Sequence, residues 1–361
     1  MVTENGVEGH RFQADTRNVF MNRRKSGVTW IELLVVIIIL AVLSLLLMAG
    51  LNRRHGHTRS PCQSTLKRWG EMFSMYADED PEQKYPYMHI EKKDRKQKDW
   101  EGLEYPMLLA IPKLELLYPS LTGNFELLYC PTQSEQDDYI DTIERDGING
   151  LYEKYHGYHF GYAYFGWVFD RLDIQPAQKL SDFPVLCNMM ESLESSTAED
   201  VESTYVTPQF AAGMDTLFSY LQEGSEAEMS WQYFMDIADN DLHVTAPLGN
   251  GGGDTIRRIA KGVERFFVTD CHDPGAAAMF QSTVFVMMDT YGPSKDYFNH
   301  IPGGCNVLFM DGHVEFIRYV AGNPGPDIDA TSTAPVLPGM APVVESLIHV
   351  RDDGYLEPLE R

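Results

Sequence analysis

A single carboxylate, Glu32, sits near the start of an otherwise apolar run that continues from Leu33 to Leu51. A charge in such surroundings costs on the order of 2.5–3.5 kcal/mol at the centre of a membrane-inserted helix and less near its end. A chain that keeps one is expected to use it. The other residues able to do chemistry are dispersed. His300, Asp311 and His313 flank an Asp-Gly pair, and neutral imidazoles on a hairpin can converge on a metal. Polar residues at turns more commonly bond backbone, so no metal is assigned to them. His156-x-x-His159 and Cys271-His272-Asp273 read as structural. Gly249-Asn250-Gly251-Gly252-Gly253-Asp254 is glycine-rich but lacks the following Gly-Lys-Ser/Thr of a phosphate loop, and so reads as a turn.

Catalysis finds no constellation. There is no Gly-x-Ser-x-Gly, no His-Glu-x-x-His and no phosphate loop. The expectation is a protein that is not an enzyme. Five cysteines (Cys62, Cys130, Cys187, Cys271, Cys305) include no Cys-x-x-Cys, which argues against zinc ribbons, thioredoxin-type redox and c-type haem. Outside the cytoplasm they would allow two disulfides and leave one thiol, with Cys62 and Cys130 the first candidate pair. The formal net charge of −24 disfavours a broad nucleic-acid surface. It leaves calcium at the acidic loops as the one cofactor to consider, although no EF-type loop occurs. No other cofactor is expected.

The elements that must position these groups can be read from periodicity. From Val28 to Leu51 the apolar stretch, at about 1.5 Å per residue, is long enough to cross a bilayer core of about 30 Å. Cys62, Leu66, Trp69, Phe73 and Tyr76 recur at helical spacing, with Lys67, Arg68 and Glu71 on other faces. Pro61 predicts a bend or break near 56–61. Residues 91–99 read as a mixed-charge loop, Leu127–Cys130 as a short strand, Tyr158–Val168 as β-prone and Phe183–Met190 as a buried strand. Phe218–Met235 suits a helix, Thr255–Phe267 an amphipathic helix and Ser282–Asp289 a core strand. Asp311-Gly312 between Asn306–Met310 and His313–Ile317 predicts a hairpin with a type I′ turn. The tail after Val320, rich in Pro, Gly, Ala and Thr, reads as partly extended.

Arg23-Arg24-Lys25-Ser26-Gly27-Val28-Thr29-Trp30-Ile31-Glu32 and the run after it resemble the prepilin cleavage and methylation motif of type IV pilins and type II secretion pseudopilins. Glycine precedes the cut, a hydrophobic residue follows it, and glutamate is fifth after it. Val28 stands where phenylalanine is usual, and Trp30 where leucine is. The leader of 27 residues is longer than is typical; a start at Met21 would give a short one. The resemblance implies cleavage between Gly27 and Val28 by a prepilin peptidase, which also methylates the Val28 amine. That amine, with a pKa of about 8, would be cationic and able to meet Glu32 of a neighbouring subunit, fixing register.

The segment His300–Ile317, with Asn306, Asp311, Gly312 and His313, resembles the His-x9-Asp-Gly motif of prepilin-type proteins, with ten intervening residues here. The implied fold is α+β. A long N-terminal helix, half membrane-spanning and half amphipathic, would pack on an antiparallel sheet in a pilin-like head with large insertions. The implied organisation is a leader (1–27), a transmembrane and assembly helix (28–51), an amphipathic helix (52–80), a head (81–320) and a tail (321–361). The implied role is a structural subunit of a pilus-like or pseudopilus-like assembly. Its partners would be the peptidase, other pilin-like subunits and an inner-membrane assembly platform. It would be a single-pass protein of the bacterial inner membrane, with its head in the periplasm or in a periplasmic or extracellular filament. The alternative is a membrane-tethered binding or hydrolytic domain that forms no filament.

Overall fold

The computed structural model describes residues 30–31, 33–40, 59–94, 104–121, 124–131, 141–148, 150, 161–173, 176–192, 204–268, 273–291, 300, 303–320 and 333–348. The chain divides into two units, Met1–Arg54 and His55–Arg361.

In the first unit the described residues 30, 31 and 33–40 are helical. All of them are apolar and solvent-exposed, from 47% for Val35 to 86% for Trp30. The expected membrane-spanning helix is corrected here. Among the described residues no helix is long and apolar enough to cross a membrane. The single-pass inner-membrane placement with a periplasmic head, and the prepilin and secretion labels drawn from it, lose that support. Among the described residues the fold is α+β, with separate helices and several small antiparallel sheets in place of the single long helix expected.

In the second unit, α1 (Arg59–Glu79) follows the predicted stripe. Cys62, Leu66, Trp69, Phe73 and Ala77 are buried at successive helical turns, while Lys67 and Glu71 face water. Pro61 falls in the first turn, where a missing N–H costs no intrahelical bond. Gly70 brings the helix close to the sheet: a Cβ there would lie 3.1 Å from Leu308 Cδ1. The strands β1 (Met88–Asp94) and β2 (Glu104–Pro112) form a separate antiparallel pair, so residues 91–94 are extended rather than looped. The segment after them is helical, α2 (Leu114–Leu121), and the expected strand at Leu127–Cys130 is instead a short 3-10 turn over Phe125–Leu128.

The main sheet uses β3 (Tyr162–Tyr164), β8 (Phe285–Asp289), β9 (Gly304–Phe309) and β10 (Val314–Arg318) in the order β10-β9-β8-β3, all antiparallel. Every residue of β8 and β9 is buried, so both faces of the sheet centre are covered. The hairpin at Asp311-Gly312 forms, but with a different turn. Only Gly312 has positive φ, and its N–H donates to Phe309 O at 2.9 Å, so a type I turn is followed by a left-handed glycine rather than the predicted type I′.

Three further expectations change. Phe183–Met190 lies in α3 (Pro184–Ser192), not a strand. Proline starts it, and Asp215 Oδ1 accepts from the N–H groups of Val185 and Leu186 at 2.9 Å each. A short apolar run fits a buried strand or a buried helix equally well, and here the cap settles it. Thr255–Phe267 is not an α-helix. β7 (Thr255–Ile256), paired with β6 (Leu242–His243), runs into an extended stretch to Ala260, and Gly262 at φ 79 precedes a 3-10 turn over Val263–Phe266. Within the tail read as partly extended, residues 333–348 are packed: Met340, Ala341, Val343, Val344 and Leu347 are buried, and Ala341–Ile348 is helical. Between these segments, β4 (Gln178–Lys179) pairs with β5 (Tyr205–Val206). The region 208–239 holds two helices, Pro208–Glu226 and Trp231–Asp239. Phe210 of the first packs edge-on against Phe165 and Phe169, which meet Phe285 of β8.

Candidate functional site

The chemistry concentrates at one buried point of the second unit. Cys62 comes from the first turns of α1. Cys130 follows the 3-10 turn, whose position is held by Trp69 Nε1 donating to Leu127 O at 2.9 Å. Asp289 ends β8 opposite Tyr162 of β3, and His300 lies in the link that leads into β9. Cys62, Cys130 and Asp289 are fully buried, and His300 is 3% exposed. One ligand atom from each lies within 4.8 Å of all the others.

The two sulfurs are 3.0 Å apart and are not joined in a disulfide. Cys130 Sγ is 3.9 Å from His300 Nε2, and His300 Nε2 is 3.0 Å from Asp289 Oδ2. Asp289 Oδ2 also accepts from the Asn306 backbone N–H and from Asn306 Nδ2, each at 2.8 Å. Asp289 Oδ1, equally buried, has no hydrogen-bond partner. One oxygen is therefore crowded with donors and the other has none, an unfavourable state for a carboxylate withdrawn from water.

Burial pulls the His300 imidazole down, but its hydrogen bonds to Asp289 and Cys130, with their charges, more than offset that and lift it to about 9. Tyr162, on the neighbouring strand, is pushed well above the usual phenol range by burial, then by Cys130, Asp289 and Cys62.

The remaining sequence-derived candidates lie elsewhere. Asp311 and His313 pair at the exposed hairpin tip, Oδ1 to Nδ1 at 2.5 Å, with His313 stacked on Phe309 at 4.4 Å. His300 does not join them. Asn306 of the same motif points into the buried cluster, and Gly312 serves the turn. Asp273 caps a short helix by accepting from Gly275 N–H. The glycine-rich loop already holds an anion from its own chain: Asp170 accepts from Asn250 Nδ2 at 2.7 Å and Gly251 N–H at 2.9 Å. Gly27, Val28, Glu32, His156, His159, Cys271 and His272 lie outside the described residues.

Asp289 was not singled out in the sequence. Its signal is faint but present: a carboxylate closing an apolar strand whose every residue is buried. Comparison with protein families, with characterised proteins and with solved structures finds no match to this chain.

Proposed function

We propose that this chain is a structural subunit of a pilus-like or pseudopilus-like assembly, processed by a prepilin peptidase between Gly27 and Val28. The observation that carries the reading is the helical stretch at Trp30, Ile31 and Leu33–Leu40, where each described side chain is apolar and exposed. A contiguous apolar surface of this kind marks an interaction site. Burying one such side chain contributes about 1.5–3 kcal/mol, so several together offset an association cost of about 4–15 kcal/mol. The fitting occupant is the same stretch of a like subunit. The charged pair supplied by Glu32 and the freed Val28 amine would then choose the axial register.

The head supplies a compact body with its own core, in keeping with a subunit that displays a domain on an assembled stem. The test is co-expression with a prepilin peptidase, followed by intact-mass measurement and sedimentation. The expected chain begins at methylated Val28 and sediments as assemblies. Glu32→Ala should leave cleavage intact and abolish assembly. An uncleaved N-terminus on a chain that stays monomeric would overturn the proposal.

A further inference from the structure

We propose that Cys62, Cys130, Asp289 and His300 form a structural binding site for a thiophilic divalent cation of the zinc class. The donor set is the first argument. Two thiols, an imidazole and a carboxylate are the ligand types that tetrahedral zinc sites use, whereas calcium prefers six to eight oxygens. The geometry is the second. Zinc–sulfur bonds of about 2.3 Å and zinc–nitrogen or zinc–oxygen bonds of about 2.0–2.2 Å put tetrahedral ligands roughly 3.2–3.8 Å apart. The observed 3.9 Å between Cys130 Sγ and His300 Nε2 lies near that range, while the sulfurs at 3.0 Å and His300 Nε2 and Asp289 Oδ2 at 3.0 Å sit closer than it, so these ligands would spread on binding.

The third argument is the unpartnered Asp289 Oδ1 in a fully buried carboxylate, an atom for which the surrounding protein provides no donor. Binding would take the two cysteines as thiolates and His300 as the neutral imidazole, releasing their protons, so that a dication would meet three anionic ligands. Asn306, donating twice to Asp289 Oδ2, would hold the carboxylate in place as an outer-shell partner.

The four ligands come from α1, the loop after the 3-10 turn, the end of β8 and the lead-in to β9. An ion would therefore tie the first helix to the sheet centre. With every ligand at 3% exposure or less, no space is left for a substrate, so the role is structural rather than catalytic. The inference stands apart from the assembly reading, because it concerns the second unit alone.

The test uses the full chain purified under reductant and dialysed against metal-free buffer. Elemental mass spectrometry is expected to find close to one zinc per chain. After exchange with cobalt(II), the wild-type chain should show the visible bands of a tetrahedral ion and an ultraviolet sulfur-to-cobalt charge-transfer band. Cys62→Ser with Cys130→Ser should remove the charge-transfer band. Asn306→Ala should keep it while weakening affinity about 10–100-fold, the usual loss for an outer-shell partner. Because the cobalt spectrum is read on the unaltered chain, misfolding of a variant does not obscure it. A metal-free chain, a Cys62–Cys130 disulfide found by peptide mapping, or a cobalt spectrum without the sulfur band would each overturn the proposal.

Discussion

The guanidinium of Arg258 fills the space that a side chain at Gly166 would occupy, and its Nη1 donates to the Gly166 carbonyl. Its Nη2 donates to Tyr85 O and Pro86 O at 2.9 Å each, and the residue is 2% exposed. One buried cation thus binds the segment after α1, the stretch that follows β3 and the extended run at 255–260. Val168 N–H donating to Arg257 O at 2.8 Å and Tyr85 N–H donating to Ile259 O at 2.9 Å complete that junction.

Gly166→Ala should therefore cost more than a left-handed glycine does by itself. Gly166 has φ 78, and so a Cβ is strained there before it displaces the guanidinium. A loss of about 2–4 kcal/mol is expected from urea unfolding. Gly312→Ala is the control. Gly312 has φ 85 but open space around its would-be Cβ, so only about 1 kcal/mol should be lost. Equal losses at the two positions would contradict this account.

Arg258→Met should destabilise the chain by about 1–3 kcal/mol, because it leaves the buried Tyr85 O without its donor, while Gly166 O keeps the Ile259 N–H and Pro86 O keeps the Tyr164 hydroxyl. Arg258→Lys should recover only part of that loss. A single ammonium lacks the planar fork that reaches Gly166 on one side and Tyr85 with Pro86 on the other. Full recovery by lysine in chemical denaturation would show that the fork is not what matters.

Asp215 provides a pH test. Burial, against the pull of the Leu186 and Val185 N–H donors, raises its carboxyl above the ordinary 3.8. With the folded value above the unfolded one, the folded chain takes up the proton first. The cost of the buried charge is complete above the folded value and disappears as pH falls through it toward 3.8. Relative to Asp215→Asn, which does not titrate, the wild-type chain should gain stability as pH is lowered across that window. Unfolding curves at several acidic pH values measure the difference, and a change in the opposite direction would refute the assignment. Asp215→Ala should lose about 1–2 kcal/mol at neutral pH through the exposed start of α3.

Tyr291 anchors the C-terminal segment. Its hydroxyl approaches Pro335 O at 2.9 Å and Leu337 O at 3.3 Å, and burial with the nearby Cys305 holds its phenol well above the usual range. Tyr291→Phe should cost about 1–2 kcal/mol. Hydrogen exchange should quicken first in residues 333–348 and leave β8 and β9 protected. Uniform loss of protection across the second unit would mean that the segment is not separately held.

The sequence carried what repeats along the chain. The stripe from Cys62 to Phe73 placed α1, the apolar run at 282–289 placed β8, and Asp311-Gly312 placed the final hairpin, because period and turn chemistry are local properties. It also named Cys62, Cys130, His300 and Asn306. What it left undecided depended on partners distant in the chain. Whether Phe183–Met190 is helix or strand turned on a cap from Asp215, and Thr255–Ala260 became extended because Tyr85 and Val168 bond to it. The second unit likewise drew in 333–348, part of a tail whose composition suggested partly extended chain, through apolar burial that only tertiary packing offers. The meeting of Asp289 with His300 and the two thiols is of the same kind: four residues spread over 239 positions of the chain, brought within 4.8 Å by the antiparallel order of β3, β8 and β9 under one helix.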